Sequence, residues 1–315
     1  MIGILGSGFG LYGYLPASVS LEMGSVLLPS RYQKVFSIRE ELQPFLKKIE
    51  WLDSDLDLIK TATTLIISRR PGDQSQLIDT VLAQPNIKNI IFEKPFSINP
   101  GMAKIMQDKI LNSQKICSVS YIFRYFPWAI TLKDHLVRNP EFEQESLKLT
   151  WRFMAHHYNN NLLNWKRDHE QGGGVLRFYG IHIIALLAEW GYNQVEKSNF
   201  FLNSDGVSYS RWSALFKGIN LPNFEIDIDI KSVETLFNVK RFLQAEYIYQ
   251  GSDPFDEQGS KNENISTDLR CNYLRTLLLE NNSQIEVWPH RYVQAINLWD
   301  KVENDINQKK LIAVN

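Results

Sequence analysis

Cysteine is nearly absent. Only Cys117 and Cys271 occur, and neither belongs to a C-x-x-C pair or a Cys/His cluster. That argues against a disulfide framework, offers no metal site, and sets a reducing, cytoplasmic compartment as the expectation. Excess charge is missing too: 34 Lys and Arg stand against 35 Asp and Glu. No basic surplus points to nucleic acid as a partner, and no acidic tail points to disorder. No apolar run approaches the ~18 residues that a membrane helix needs, so no membrane partner is expected. The chain has no basic n-region and enters an apolar run at once, so no signal peptide is expected. What is present is 315 residues, 44% of them hydrophobic, enough for two domains or one large one.

The opening segment, MIGILGSGFGLYG, carries the strongest signal. Ile2–Leu5 is apolar and breaks into glycines. A strand that ends in glycines and then starts a helix suits a dinucleotide. The glycines allow a sharp turn and close approach of the backbone to a diphosphate, and the helix start favours negative charge. Two frames are possible. Gly8, Gly10 and Gly13 fit G-x-G-x-x-G literally. Gly6, Gly8 and Gly10 begin right at the strand end, with Leu11 in the third glycine position, and this frame is favoured. The bland alternative is an ordinary glycine-rich turn.

Strand and helix signals then alternate to residue 122. Apolar runs occupy Ser25–Leu28, Thr64–Ser68, Ile87–Phe92 and Ile116–Ile122. Helical stretches occupy Leu11–Glu22, Val35–Ile49 (weakened by Pro44), Gln74–Leu82 and Met102–Leu111. Such alternation predicts an α/β Rossmann domain over residues 1–122, with a parallel sheet covered on both faces. After that the pattern changes. Leu147, Leu149, Trp151 and Phe153 alternate with polar residues, as do Phe224, Ile226, Ile228 and Ile230. Period-2 alternation predicts a C-terminal α+β domain, 123–315, around a mainly antiparallel open sheet. Asp205-Gly206 reads as a hairpin turn, Val233–Val239 and Phe242–Tyr249 as further strands, Gly251–Thr267 as an exposed loop, and Arg291–Gln308 as a closing helix.

Another absence follows the second apolar run. An NAD site usually has a carboxylate there for the ribose hydroxyls, but this chain has Pro29-Ser30-Arg31. A hydroxyl beside a guanidinium suits a 2′-phosphate, so NADP is expected over NAD; the alternative is a solvated arginine. Glu93-Lys94-Pro95 follows a strand directly. Lys94 is then either close to a bound nicotinamide or an exposed lysine before a turn proline. Gln171-Gly-Gly-Gly leads into an apolar helix holding Phe178, Tyr179 and His182 on one face. His182 is either a structural imidazole or an acid/base, with the glycines leaving room for a ligand. Arg124, Lys166 and Arg167 either hold an anionic group or are surface charge. His156-His157 end an alternating run, so at most one faces a cleft, and they make no metal pair.

Together these places resemble the glucose–fructose oxidoreductase/inositol dehydrogenase (Gfo/Idh/MocA) family over nearly the whole chain. The matching segments are GSGFG with Tyr14-Leu15-Pro16-Ala17, TLIISRRPGDQ, IIFEKP, YIFRYFP (a strand crossing between domains) and Trp165-Lys166-Arg167-Asp168 followed by GGG and Gly180-Ile-His182. The resemblance implies a nicotinamide cofactor over the Rossmann sheet and a sugar, inositol or polyol substrate. It implies Lys94 on the reacting oxygen and His182 as acid/base, with Tyr179 able to complete a proton relay. The cofactor contacts would come from Gly6, Gly8, Phe9, Gly10, Ser30, Arg31, Ser68, Arg69, Glu93, Lys94, Trp165 and Lys166. Arg124, Arg167 and His182 would meet the substrate, and a homodimer or tetramer is implied. Two aspartates common in relatives are replaced, by Phe178 four residues before the histidine and by Ala185 three after it. The expectation is an NADP-dependent oxidoreductase acting on a secondary alcohol or ketone carbon. The alternative is a cofactor-binding regulator or scaffold that has lost the proton chemistry.

Overall fold

The computed structural model describes residues 1–22, 24–138, 145–203, 208–241, 246–255 and 268–314. The apolar runs of the first part become one six-stranded sheet: β1 (Ile2–Leu5), β2 (Val26–Pro29), β3 (Ile49–Leu52), β4 (Thr64–Ile67), β5 (Asn89–Phe92) and β6 (Ile116–Val119). Their order is β3-β2-β1-β4-β5-β6, and every neighbouring pair is parallel. All residues of β1 and β2 are buried, as a sheet covered on both faces requires. The order reverses between β1 and β4. Connections from the two strands leave there in opposite directions and open a crevice at the carboxyl ends.

The covering helices are α1 (Leu15–Ser20), α2 (Gln33–Phe36), α3 (Asp55–Thr61), α4 (Pro71–Leu82) and α5 (Pro100–Leu111). A π-turn, Gly10–Tyr14, leads directly into α1, where Pro16 sits in the first turn and needs no donor. The expected helix over 35–49 is not continuous. It breaks into α2, a 3-10 stretch Glu40–Lys48 containing Pro44, and then β3. No residue of β3 is fully buried, so it shows no apolar run, and it escaped the sequence reading together with α3. The strand expected to reach Ile122 stops at Val119, and YIFRYFP forms a 3-10 turn over Ile122–Tyr125 rather than a strand.

The chain divides into two units. The first holds Met1–Ser97, Lys104–Ile122 and Ser260–Pro289; the second holds Ile98–Ala103, Phe123–Gly259 and His290–Asn315. A late segment thus joins the first unit. Its helix α9 (Cys271–Ser283) packs on α1. Asn281 donates to Ser118 Oγ (2.8 Å), and the Cys117 N–H donates to the Val287 carbonyl (2.9 Å), so the β6 edge of the sheet is closed.

The second unit is built on β7 (Ser146–Met154), β8 (Tyr192–Leu202), β9 (Tyr209–Gly218), β10 (Asn223–Asp229), β11 (Lys231–Arg241) and β12 (Tyr247–Gly251). Their order is β12-β11-β7-β10-β9-β8, with β7 and β10 parallel and the other pairs antiparallel. Register puts Trp151, Ile228, Trp212 and Phe237 side by side on the buried face. The hairpin turn at Asp205-Gly206, the start of the run at Phe242 and most of the 251–267 loop lie outside the described residues. Helices α6 (Pro127–Arg138), α7 (His156–Asn159), α8 (Ile181–Glu189) and α10 (His290–Val314) complete the unit, with α8 and α10 packed together and against β8. The histidine pair opens α7 instead of ending a strand; His157 is buried and His156 exposed. The carboxylates on the other sheet face are offset by neighbours: Glu225 by Lys148 (3.6 Å), and Asp227 by Arg211 (3.0 Å) and Arg152 (3.3 Å). Among the described residues, no helix is long and apolar enough to cross a membrane.

One buried ion pair fastens the entrance of α8 to α10. Arg177 grips Glu303 through two bonds (2.7 and 3.1 Å), Trp299 donates to the same carboxylate (3.0 Å), and His169 lies 3.5 Å away. Burial opposes ionisation of Glu303, but hydrogen bonds from His169 and Arg177 outweigh it and hold its pKa at about 2. A lowered folded-state pKa stabilises above the unfolded value and is lost as pH falls from about 4.5 toward 2. Glu303→Gln should therefore flatten the acid limb of stability between those values in urea melts. It should also cost about 3–5 kcal/mol at neutral pH, because Arg177 is left uncompensated. An unchanged acid limb would contradict this.

Candidate functional site

The glycine turn stands at the crevice of the first sheet. Gly6 has φ +143°, and a Cβ there would meet the Ser68 carbonyl oxygen at 2.1 Å. Only glycine lets the end of β1 lie this close to the end of β4. The Gly6 N–H donates to the Tyr32 hydroxyl (2.8 Å). Gly8 is different: a Cβ there would meet nothing within 4 Å. Its carbonyl accepts the N–H groups of Leu11 and Tyr12 (2.9 and 3.3 Å) and starts the helical segment. The chain's own packing does not require glycine at 8, while a group pressed against the backbone would. A Cβ at Gly10 would lie 3.1 Å from Ile4 and 3.4 Å from Ser68, so glycine here lets the helix sit close against the sheet. This is the frame beginning at Gly6: one tight turn, one open cradle, one packing position. The residues fit a dinucleotide diphosphate.

At the end of β2, Ser30 is half-buried and Arg31 exposed. The carboxylate missing there arrives from elsewhere. Asp55, at the start of α3, ion-pairs with Arg31 (2.5 Å) and also with Arg69. Two guanidinium groups share one carboxylate, so the cluster keeps a net positive charge. The Ser54-x-x-Asp57 capping pattern, seen in the structure as Asp57 N–H donating to Ser54 Oγ (3.1 Å), was the signal that could have marked α3 and hence Asp55. Phe9, in the glycine turn, carries the Arg270 guanidinium over its ring (4.3 Å), a contact the sequence did not suggest.

Beyond β5, Glu93 turns inward. Its carboxylate accepts the Tyr14 and Ser120 hydroxyls (both 2.8 Å). Burial raises its pKa, only partly opposed by Lys94 and those two donors. Gln74 on α4 donates to the carbonyls of Glu93 (2.9 Å) and Pro95 (3.0 Å), and the Lys94 N–H donates to Ser120 Oγ (3.3 Å). The backbone around half-buried Lys94 is thus held by three hydrogen bonds, two from Gln74 and one to Ser120. Tyr14, Gln74 and Ser120 are supporting residues that the sequence reading missed.

In the second unit, the space of a side chain at Gly173 is filled by backbone: a Cβ there would lie 2.2 Å from the Trp165 carbonyl oxygen and 2.7 Å from that of Lys166. Gly173 admits the backbone of the Trp165–Asp168 turn, whose Lys166 carbonyl accepts the Gly174 N–H (2.8 Å). The helix beyond opens as a π-turn, Val175–Gly180, and continues as α8. His182 is buried and stacks on Phe123, with ring centroids 4.4 Å apart and planes at 10°. Phe178 packs edge-on against Trp165 (5.4 Å), with Lys166 Nζ over its ring (5.3 Å). Tyr179 packs against Trp151 (5.8 Å) and lies nearly parallel to His157 (6.1 Å, 22°). Burial, then Tyr158 and Asp253, push the Tyr179 phenol up, so it stays protonated at physiological pH.

Of the expected anion-holding residues, Arg124 lies on Glu189 (2.9 Å) and over the Tyr125 ring (5.2 Å). Arg167 donates to the His157 carbonyl and lies over Tyr158 (4.5 Å). His157, one of two histidines of which at most one was expected to face a cleft, sits next to Lys166, Arg167 and Tyr179.

No family model matches the sequence, and no curated protein sequence matches it. Solved structures do. The WlbA dehydrogenase from Bordetella pertussis, in complex with NADH and UDP-GlcNAcA, is 11% identical with a TM-score of 0.74, covering 98% of this chain and 95% of that one. KijD10, a 3-ketoreductase from Actinomadura kijaniata in complex with NADP and TDP-benzene, is 13% identical with a TM-score of 0.70, covering 97% of each chain. The super-repressor mutant of Gal80p from Saccharomyces cerevisiae is 11% identical with a TM-score of 0.70, covering 99% of this chain and 96% of that one. The chain shares its fold with these structures over nearly its whole length.

The two glycines should respond differently to substitution. Gly8→Val should change stability by no more than about 0.5 kcal/mol yet weaken binding of a nicotinamide dinucleotide more than about tenfold. Gly6→Ala should lose more than about 2 kcal/mol through backbone strain and collision with Ser68. Urea melts and fluorescence titration measure both. Unchanged affinity in Gly8→Val would remove the cradle from the cofactor site.

Proposed function

We propose that the protein is an NADP-dependent oxidoreductase that moves a hydride to or from a secondary alcohol or ketone carbon of a sugar, sugar derivative or polyol. One observation carries the reading. The sharp turn at Gly6 and the open cradle at Gly8 stand at the strand-order reversal of a fully parallel sheet, and Lys94 follows β5 of that sheet. The bound dinucleotide would supply the hydride at its nicotinamide carbon. Gly6, Gly8 and Gly10 would seat its diphosphate, with Phe9 and Ser68 beside them. Ser30, Arg31 and Arg69 would take the 2′-phosphate, favoured because two guanidiniums outnumber the one carboxylate between them. Glu93 supports the loop of Lys94, and Trp165 and Lys166 complete the contacts.

In the reductive direction, the Lys94 ammonium donates to the carbonyl oxygen and steadies the negative charge that develops as hydride reaches the carbon. His182 gives a proton to that oxygen, and Tyr179, kept protonated by burial, serves as a further donor. The reverse direction returns the proton to His182. Similarity in fold to structures holding UDP-GlcNAcA and TDP-benzene supports a sugar or nucleotide-linked sugar as substrate. A second reading rests on Phe178 and Ala185, which supply no carboxylate near His182, and on the likeness to Gal80p. It is a cofactor-binding regulator without turnover.

Titration with NADPH and NADH separates the cofactors: NADPH should bind at least about tenfold tighter, and tighter NADH binding would reject the role of Arg31. Lys94→Ala should lower kcat by about 10²–10⁴ while changing NADPH affinity little. An unchanged kcat would remove Lys94 from the chemistry. Tight cofactor binding without turnover on any sugar of a broad panel would favour the regulator.

A further inference from the structure

We propose that Asp55 is a built-in competitor of the coenzyme's 2′-phosphate for Arg31 and Arg69, and that this carboxylate sets the selectivity of the cofactor site. The inference rests on the dinucleotide reading of the first unit, and all its residues belong to that unit. Asp55 opens α3 and reaches back to the end of β2. Its Oδ1 lies 2.5 Å from Arg31 Nη2, and its Oδ2 ion-pairs with Arg69 Nη2. One phenol holds the two guanidiniums from another direction. The Tyr32 hydroxyl accepts Arg31 Nη2 (3.3 Å), acts on Arg69, and accepts the Gly6 N–H (2.8 Å). The clamp is thus one hydroxyl away from the tight turn of the glycine frame. It is also within reach of a ligand from solvent: the Arg31 side chain is 47% exposed, Asp55 27% and Arg69 20%.

Two guanidiniums held at one place repel each other when no anion lies between them. Asp55 relieves that repulsion, with each of its oxygens on a different arginine. The same contact discriminates between coenzymes. A ribose hydroxyl is neutral and does not displace a carboxylate from two cations, so NADH leaves the clamp closed. A phosphoryl group has three acceptor oxygens and a larger negative charge, so it takes both guanidiniums in charge-assisted bonds. The half-buried Asp55 carboxylate, once released, regains water. Because Asp55 belongs to the same chain, it competes at a high effective concentration. Free phosphate in solution is therefore kept out, and a phosphoryl group carried in by a seated dinucleotide displaces the carboxylate. Asp57 provides the contrast. It lies in the same turn, is exposed, and accepts the Ser54 hydroxyl (2.6 Å) instead of an arginine.

The test uses the full-length protein and reads binding by calorimetry, with urea melts to confirm that each variant is folded. The ligands are NADPH, NADH, adenosine 2′,5′-bisphosphate, AMP and inorganic phosphate. The bisphosphate and AMP differ only in the 2′-phosphate. Asp55→Asn keeps the side-chain shape and one acceptor oxygen. It should tighten NADPH, the bisphosphate and inorganic phosphate by about ten-fold or more and leave NADH and AMP within about two-fold. Asp57→Asn, which removes the same charge outside the clamp, should move none of them by more than about three-fold. In an Arg69→Met background the gain from Asp55→Asn should shrink below about three-fold, because one guanidinium alone is released. If Asp55→Asn folds poorly, Asp55→Ser gives the same comparison. No binding of the bisphosphate, no gain for it in Asp55→Asn, or an equal gain in Asp57→Asn would overturn the proposal. So would weaker NADH and AMP in Asp55→Asn, which would put the carboxylate on the ribose hydroxyls. A wild type that binds neither NADPH nor NADH would remove the oxidoreductase reading, and the bisphosphate-to-AMP ratio would still decide the clamp. A wild type that prefers NADH would remove the choice of NADP, and the clamp then stands only if Asp55→Asn moves the ratio about ten-fold toward NADPH.

Discussion

The first unit is organised around the approach of two backbones. The end of β1 lies against the end of β4 so closely that the Ser68 carbonyl occupies the space of a side chain at residue 6. These strands are also the two from which connections depart in opposite directions. The sheet therefore opens at one place, and the adjoining loops, at Ser30-Arg31, Ser68-Arg69 and Glu93-Lys94, sit beside that opening. A wider spacing would admit a side chain at position 6 and move the following turn away from the loop that carries Arg69.

Much of this arrangement was legible in the sequence because parallel strands buried on both faces leave unmistakable apolar runs. β1, β2, β4 and β5 were all visible that way, and the frame of glycines beginning at Gly6 followed from where β1 ended. β3 was not, because its residues are only half-buried and its four positions carry a glutamate. With it went α3 and Asp55, so a carboxylate that acts on Arg31 from a distant part of the chain was invisible to a reading that looked only for one nearby. Of the three glycines before α8, Gly173 lacks a side chain because another stretch of backbone lies there, a tertiary fact that spacing does not encode. The role of Tyr14 as a donor to Glu93 depends likewise on a helix meeting a strand some eighty positions later.

The second unit sets two imidazoles against aromatic rings, His182 on Phe123 and His157 beside Tyr179, and burial keeps the His157 ring neutral and the Tyr179 phenol protonated. The salt-bridged network of Arg177, Glu303 and Trp299 lies buried, fixing the start of α8 without adding net charge.

The seal along β6 has a consequence for biogenesis. Its edge is completed by Val287, and Ser118 on the same strand accepts from Asn281. When residues up to about 120 have been made, the parallel sheet of the first unit still exposes a bare hydrogen-bonding margin. It must wait for roughly half the chain again before its own closing segment emerges. During that interval the margin is a template for any extended segment, including the same strand of a neighbouring nascent chain. The order of the segments thus leaves this margin without its partner until late in synthesis, whatever the mature protein's stability.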